Sequence, residues 1–220
     1  MIYPLLDQLA QRYGEGEHKL EAMRAREEYF DRAGKVFDDD AELFEGRMAS
    51  FLEWYLIERP LAAQRIPPVV LAIEESAPRL SGAPPPQPRP PDERRALAAL
   101  AASHRSLFEL GRAADGDRLL EVEDVVGGAR FQVQERRSTV GIAPGDLFEA
   151  RLIWDGDAVV FGRTFLFHPP DAREVTLGWV EAANQRGLPR QEILFQLARN
   201  HIRWHRLGHT GAAKIYRGDG

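Results

Sequence analysis

The chain of 220 residues is 44% hydrophobic and 29% charged, with a formal net charge of −5, which suits one large globular domain or two small ones and excludes a largely disordered chain. This mild acidity excludes a protein that coats nucleic acid generally, while leaving room for a local basic patch. Cysteine is absent, so no disulfide framework, thiolate nucleophile or cysteine-ligated zinc or iron–sulfur site can be built.

The opening stretch, MIYPLLDQLAQRYGEGEHK, lacks the basic segment and long apolar run of a secretory signal. No stretch approaches the roughly 18 consecutive apolar residues that mark a membrane-spanning helix. The expectation is a cytoplasmic protein with no membrane partner. Charge is uneven along the chain: residues 1–60 hold 14 acidic and 8 basic side chains, and residues 186–220 hold 2 acidic and 7 basic. The two ends either attract each other within the molecule or offer the basic end to an acidic partner.

Residues 1–77 read as a helical region. The segments 2–13 and 17–35 are rich in helix formers, and charges in the second are spaced for i,i+4 pairing. Asp38, Asp39 and Asp40 stand where a helix N-terminus takes caps and negative charge. Phe44, Met48, Phe51, Leu52 and Tyr55 then form a helical stripe. In FLEWYLI only Glu53 is charged, so the helix predicted over 38–58 is buried on several sides at its end.

Residues 78–91, PRLSGAPPPQPRPP, exclude helix and central strand and read as an extended linker. Asp92 opens a connecting helix predicted over 92–116. From 117 to 170 the period becomes that of short strands, with turns at Gly127–Gly128, IAPGD and DGD. Four strands are expected, or five if STVGI pairs, in a small, strongly bent antiparallel sheet or partial barrel. Helices at 172–185 and 190–207 form a C-terminal hairpin within 171–208. Gly208 stops the second, and 209–220 is expected to be a tail. The fold class is α+β.

Two stretches, FLEWYLIERPL at 51–61 and LLEVEDVVGGARFQVQERRSTVGIAPGDLFEARLI at 119–153, resemble uncharacterised bacterial proteins of the SEC-C-associated type. The shared pattern is an aromatic helix, a further helix, a hairpin of the form V-x-D-hhh-G and a following V-x-E-R…PGD. The SEC-C motif binds zinc through cysteines, and this chain has none. The resemblance therefore implies domain order and carries no zinc site.

The segment NHIRWHRLGH places His201, His205 and His209 four residues apart. On a helical wheel His201 and His205 fall on the apolar face with Leu194 and Ala198. Their spacing would let two imidazoles share a metal, but no third ligand is supplied, and HExxH is absent. They read as packing histidines, with His201 and His205 the weak metal candidates and no cofactor expected. Arg199, Arg203 and Arg206 fall on the opposite face, with Arg186 and Arg190 at the helix start. These five arginines are the candidate binding residues. Phe131, Phe148, Phe161, Phe165 and Phe167 alternate along strands and read as core, or as stacking platforms if the sheet binds single-stranded nucleic acid. The acidic run near 38–45 lacks calcium-loop spacing. No phosphate loop, G-x-S-x-G or dinucleotide fingerprint occurs.

The expectation is a non-enzymatic cytoplasmic binding or adaptor protein whose partner is a protein with an acidic surface. The alternative is a nucleic-acid-binding protein using the small β domain and the arginine face. A hydrolase or metal enzyme ranks third. Oligomeric state is not readable from the sequence.

Overall fold

The computed structural model describes residues 2–37, 40–77, 84–113, 118–135, 141–208 and 211–217. Among them the chain forms α1 (Ile2–Gly14), α2 (Lys19–Ala33), α3 (Ala41–Ile57), α4 (Pro68–Ser76) and α5 (Pro91–Ala101). Strands β1 (His104–Ala113), β2 (Leu119–Asp124), β3 (Arg130–Gln134), β4 (Leu147–Trp154) and β5 (Val159–Phe167) follow. Helices α6 (Arg173–Gln185), α7 (Arg190–Arg206) and α8 (Ala212–Arg217) end the chain. The class is α+β. The strands form one antiparallel sheet in the order β3-β2-β1-β4-β5.

The sheet is strongly bent. Its two edge strands, β3 and β5, come within 8 Å between Cα atoms, and the hydrogen-bonded ladder does not close into a barrel. The concave side is filled by the sheet's own residues, among them Phe108, Leu110, Val122, Val133, Phe148, Leu152 and Phe161. Phe148 and Phe161 are buried as expected, Phe131 and Phe165 are half-buried, and Phe167 is 41% exposed.

The connecting helix expected over 92–116 is corrected. It ends at Ala101, and 104–113 is β1, the middle strand of the sheet. Ser106, Phe108 and Leu110 point into the concave side or its buried rim, while Arg105 and Leu107 point into the helical layer. Because both faces are covered, the strand lacks the apolar–polar alternation that would announce it. No proline or glycine separates it from the alanine-rich helix before it. The possible strand STVGI falls partly on 138–140, outside the described residues; Gly141 and Ile142 are not in a strand.

The helical layer packs against the other side of the sheet. Trp54, Tyr55, Leu56 and Ile57 are buried there, with Tyr29, Phe51 and Phe195. The one charge in FLEWYLI, Glu53, accepts from Arg151 Nε (3.3 Å), the Arg163 N–H (3.2 Å) and the Thr164 hydroxyl (3.3 Å). Arg151 also pairs with Glu58, and Arg105 pairs with Glu58 and Glu149. This buried network ties α3 to β1, β4 and the irregular middle of β5. Removing one member would leave its partner charged and dry, the costly way to break such a pair.

Two further corrections concern the chain ends. Asp38 and Asp39 lie outside the described residues, and Asp40 does not cap α3 with its side chain. Its carboxylate instead accepts the Phe37 N–H at 2.8 Å and pairs with Arg206. Within the expected tail, residues 212–217 form α8, which buries Ala212, Ile215 and Tyr216 against α6 and α7. The Tyr216 hydroxyl lies 2.8 Å from His168 Nδ1.

Candidate binding cleft

Helix α7 carries all the arginines singled out from sequence except Arg186, which lies just before it, and it is covered on two sides. Phe195 and Ala198 join the N-terminal core, whereas Ile193, Leu194 and Leu197 join the C-terminal one. The basic face lies partly against α2. Arg199 donates to the carbonyls of Asp31 (2.9 Å) and Arg32 (2.8 Å), satisfying the C-terminus of α2. Arg206 donates to the Lys35 carbonyl (2.7 Å) and to Asp40, and its guanidinium lies over the Phe37 ring. Arg190 reaches Asp124 and His104. The outward-facing reading is kept in part: Arg203, Arg206 and Arg186 are exposed and Arg199 is half-buried, but Arg199 and Arg206 also serve the α2–α3 connection. The five arginines do not converge on one site.

His201 is buried as expected, at 7% exposure, with its ring 5.6 Å from Trp204 and 6.2 Å from His168. His205, further along α7, is only half-buried, and His209 lies outside the described residues. Among the described residues no three His, Asp or Glu side chains are placed to hold a metal ion. His168, just after β5, is fully enclosed. Burial first, and then the nearby His201 and Arg47, push its imidazole down to about 3.

A second polar cluster joins residues far apart in sequence. Asp124, at the end of β2, is buried and accepts from Ser106 (2.5 Å), the Val126 and Gly127 N–H groups (3.0 Å each) and Arg190 (3.2 Å). His104 Nε2 lies 2.8 Å from the same carboxylate, and Arg190 Nη1 lies 3.2 Å from His104 Nδ1. A guanidinium can only donate, so Nδ1 accepts and Nε2 carries the hydrogen given to Asp124. Burial would raise the Asp124 carboxyl, but the bonds from His104, Ser106 and Gly127 and the charge of Arg190 outweigh it and hold it at about 2. Serine, histidine and aspartate are all present, yet the serine hydroxyl is bound to the aspartate, and both histidine nitrogens are engaged. A nucleophile needs its hydroxyl on the base, so the arrangement works as a clamp between the β2–β3 turn, β1 and α7. Gly127 is required there: a Cβ would stand 2.6 Å from Asp124 Oδ2 and 2.7 Å from Arg190 Nη2.

A concavity that could take a ligand lies elsewhere, where α1 and α5 approach the gap between β3 and β5. It encloses about 640 Å³, within the usual range of ligand sites. From α5 come Asp92, Arg95, Ala96 and Ala99, which at i, i+3, i+4 and i+7 share one helix face. The two alanines leave the space that larger side chains would fill. Helix α1 contributes Ile2 and Tyr3, the end of β3 contributes Gln134 with Glu135, and β4 and β5 contribute Ile153, Val160, Phe161 and Arg163, with Asp155 from their turn. Ile153, Phe161 and Ala96 make a buried apolar floor.

The rim is polar and partly locked. The Tyr3 hydroxyl donates to the Phe161 carbonyl at 2.9 Å. Arg163 lies over the Tyr3 ring and holds both oxygens of Asp7, at 2.6 and 2.9 Å. Arg95 pairs with Asp92 one helical turn away. Apart from Asp92, read as a helix start, and Phe161, read as core or a stacking platform, none of these residues stood out in the sequence. Their one legible signal was the polar–small face of α5, whereas the other walls come from the ends of distant elements.

Comparison with known proteins bears on this region. The model of a family of unknown function, DUF7986, matches residues 86–186. That span holds α5, the whole sheet and α6, and every cleft residue named above except Ile2, Tyr3 and Asp7. Nothing in the match connects it to SEC-C-associated proteins. No curated protein and no solved structure matches the chain. Among the described residues no helix is long and apolar enough to cross a membrane.

Proposed function

We propose that this is a cytoplasmic bacterial binding or adaptor protein, non-enzymatic in action, which receives part of a partner protein in the cleft between α1, α5 and the open side of the sheet. The cleft itself carries the reading. It combines an apolar floor with a charged and hydroxyl-bearing rim, the usual build of a recognition site. Its position at an unclosed sheet, against a helix face whose Ala96 and Ala99 are small, gives an occupant depth. The arginine helix supports recognition less well, because three of its four candidates, Arg190, Arg199 and Arg206, already serve contacts within the chain.

Site-specific photo-crosslinking tests the proposal. A benzophenone side chain is placed at Ala99 in the cleft and, separately, at Arg203 on the exposed face of α7, and both proteins are irradiated in producing cells. The proposal expects one recurrent protein adduct from position 99 and none from 203. Adducts confined to position 203, or loss of the position-99 adduct on nuclease treatment, would overturn it.

A further inference from the structure

We infer that α8 is a latch that opens on acidification: a proton on His168 is accommodated only when Tyr216 lets go and α8 leaves the surface made by α6 and α7. The latch is short. Its six residues, Ala212–Arg217, fall well below the roughly 12–15 that a helix needs to persist alone in water, so α8 is kept in place by its contacts. These come from three buried side chains, Ala212, Ile215 and Tyr216, packed on α6, α7 and the turn at Pro170–Ala172. The helix is joined to α7 through 208–211, where Gly208 and Gly211 have φ of 65° and 64°. Glycines in this left-handed region can absorb the dihedral changes of a hinge.

One polar contact fastens the latch. The Tyr216 hydroxyl lies 2.8 Å from His168 Nδ1, and both groups are buried. The other ring nitrogen, Nε2, is buried with no hydrogen-bond partner among the described residues. A neutral imidazole tolerates this, because Nδ1 can carry the hydrogen given to Tyr216 and Nε2 can go without one. An imidazolium carries hydrogens on both nitrogens, and the second would have no acceptor.

The surroundings add to that penalty. His201 of α7 lies 6.2 Å away between ring centroids, and the buried Arg47 of α3 also acts against a positive charge on His168. The carboxylates of the neighbouring elements do not offset them: Glu149 of β4 is bound to Arg105, while Asp171 in the turn and Glu174 of α6 are exposed. Lys214 and Arg217 of α8 itself are exposed cations. With α8 closed the ring stays neutral down to about pH 3; with α8 away, water reaches it and it takes a proton at its ordinary 6.5. The open form thus binds a proton that the closed form refuses, and its share grows as pH falls below 6.5, by about 30-fold between pH 7.5 and 5.0. Releasing α8 exposes three buried side chains, far fewer than unfolding the chain would, so local opening is the cheaper way to admit the proton. It uncovers the part of the C-terminal apolar cluster that α8 completes, a cluster that also holds Ala172, Val180 and Leu197.

The test is amide hydrogen exchange by NMR on the full chain, read as protection factors, which remove the intrinsic pH dependence of exchange. At pH 7.5, Ile215 and Tyr216 should be at least tenfold less protected than Leu152 in β4. By pH 5.0 their protection should fall by about a further 30-fold. In His168→Asn the side-chain amide can still donate to Tyr216 but cannot take a proton, so this pH dependence should vanish. Tyr216→Phe keeps His168 and removes the hydrogen bond, and it tests the latch even if His168→Asn fails to fold. It should lower the protection of α8 at pH 7.5 and retain the fall toward pH 5.0. Protection in α8 equal to that in β4 would overturn the inference, because α8 would then leave only with the whole fold. So would protection independent of pH, a pH dependence kept in His168→Asn, or a Tyr216→Phe protein unchanged in α8.

Discussion

Asp40 and Arg206 form a two-point ion pair across 166 residues of sequence, with Nη2–Oδ2 at 2.6 Å and Nε–Oδ1 at 3.2 Å. The bond from Arg206 holds the Asp40 carboxyl below its ordinary range against the opposing effect of burial, with help from the Phe37 N–H. The acidic N-terminal region and the basic C-terminal helix therefore meet inside one molecule, and two of the arginines on the basic face, Arg199 and Arg206, serve the fold.

Arg206→Ala should accordingly cost about 1–3 kcal/mol, the usual range for a charged hydrogen bond whose partner is left behind. Arg203→Ala should stay within about 0.5 kcal/mol of the parent, as expected for an exposed side chain. Urea denaturation of the two variants checks this. Equal midpoints would mean that Arg206 does not hold the α2–α3 connection.

The Asp124 clamp predicts a second effect. Asp124→Asn removes a buried charge facing Arg190 and should cost about 3 kcal/mol. It should also change the acid limb of the stability profile. With the folded carboxyl at about 2 and its ordinary value at 3.8, the wild-type contribution is fully present above pH 3.8 and is lost as pH falls toward 2. Stability measured between pH 5 and 2 should fall less steeply in the variant. An unchanged acid limb would remove Asp124 from the account.

His168 acts in a higher window. Its folded imidazole titrates at about 3 against an ordinary value of 6.5. Between those values the unfolded chain binds a proton that the folded chain refuses, so stability falls as pH drops from 6.5 toward 3. A single such group gives a slope of about 1.4 kcal/mol per pH unit. His168→Gln should be less stable at pH 7, through the lost contact with Tyr216, yet show a shallower decline to pH 4.5. A wild-type slope retained in the variant would assign the acid sensitivity to another group.

Much of the fold was legible because local chemistry and tertiary context agree. The turns at Gly127–Gly128, Gly145 and Gly156 lie where the sequence puts them, and the FLEWYLI segment is buried. Strand β1 was not legible, since residues 104–111 are buried or half-buried on both faces and follow directly on a helix-forming run. That misreading also hid the clamp. Asp124 stood out in the V-x-D-hhh-G pattern and Gly127 in the two-glycine turn, but their partners His104 and Ser106 lie on the strand read as helix, and Arg190 was assigned to an outward face. The wheel of α7 divided its residues correctly into two sides. It could not tell that α2 would lie against the basic one, because a sequence reports the faces of a helix and not its neighbours. The cleft depends on such neighbours throughout: α5 contributes one face, and the remaining walls are ends of α1, β3, β4 and β5.

The central claim is that the protein meets its partner in this cleft and not along the C-terminal arginine helix. The most direct measurement is a backbone amide chemical-shift map of the full chain titrated with the protein recovered by cross-linking from position 99. The account predicts that the largest changes fall on Ala96, Ala99, Gln134 and Val160, with residues 199–206 unmoved. Changes concentrated at Arg199, Arg203 and Arg206, with the cleft silent, would contradict it.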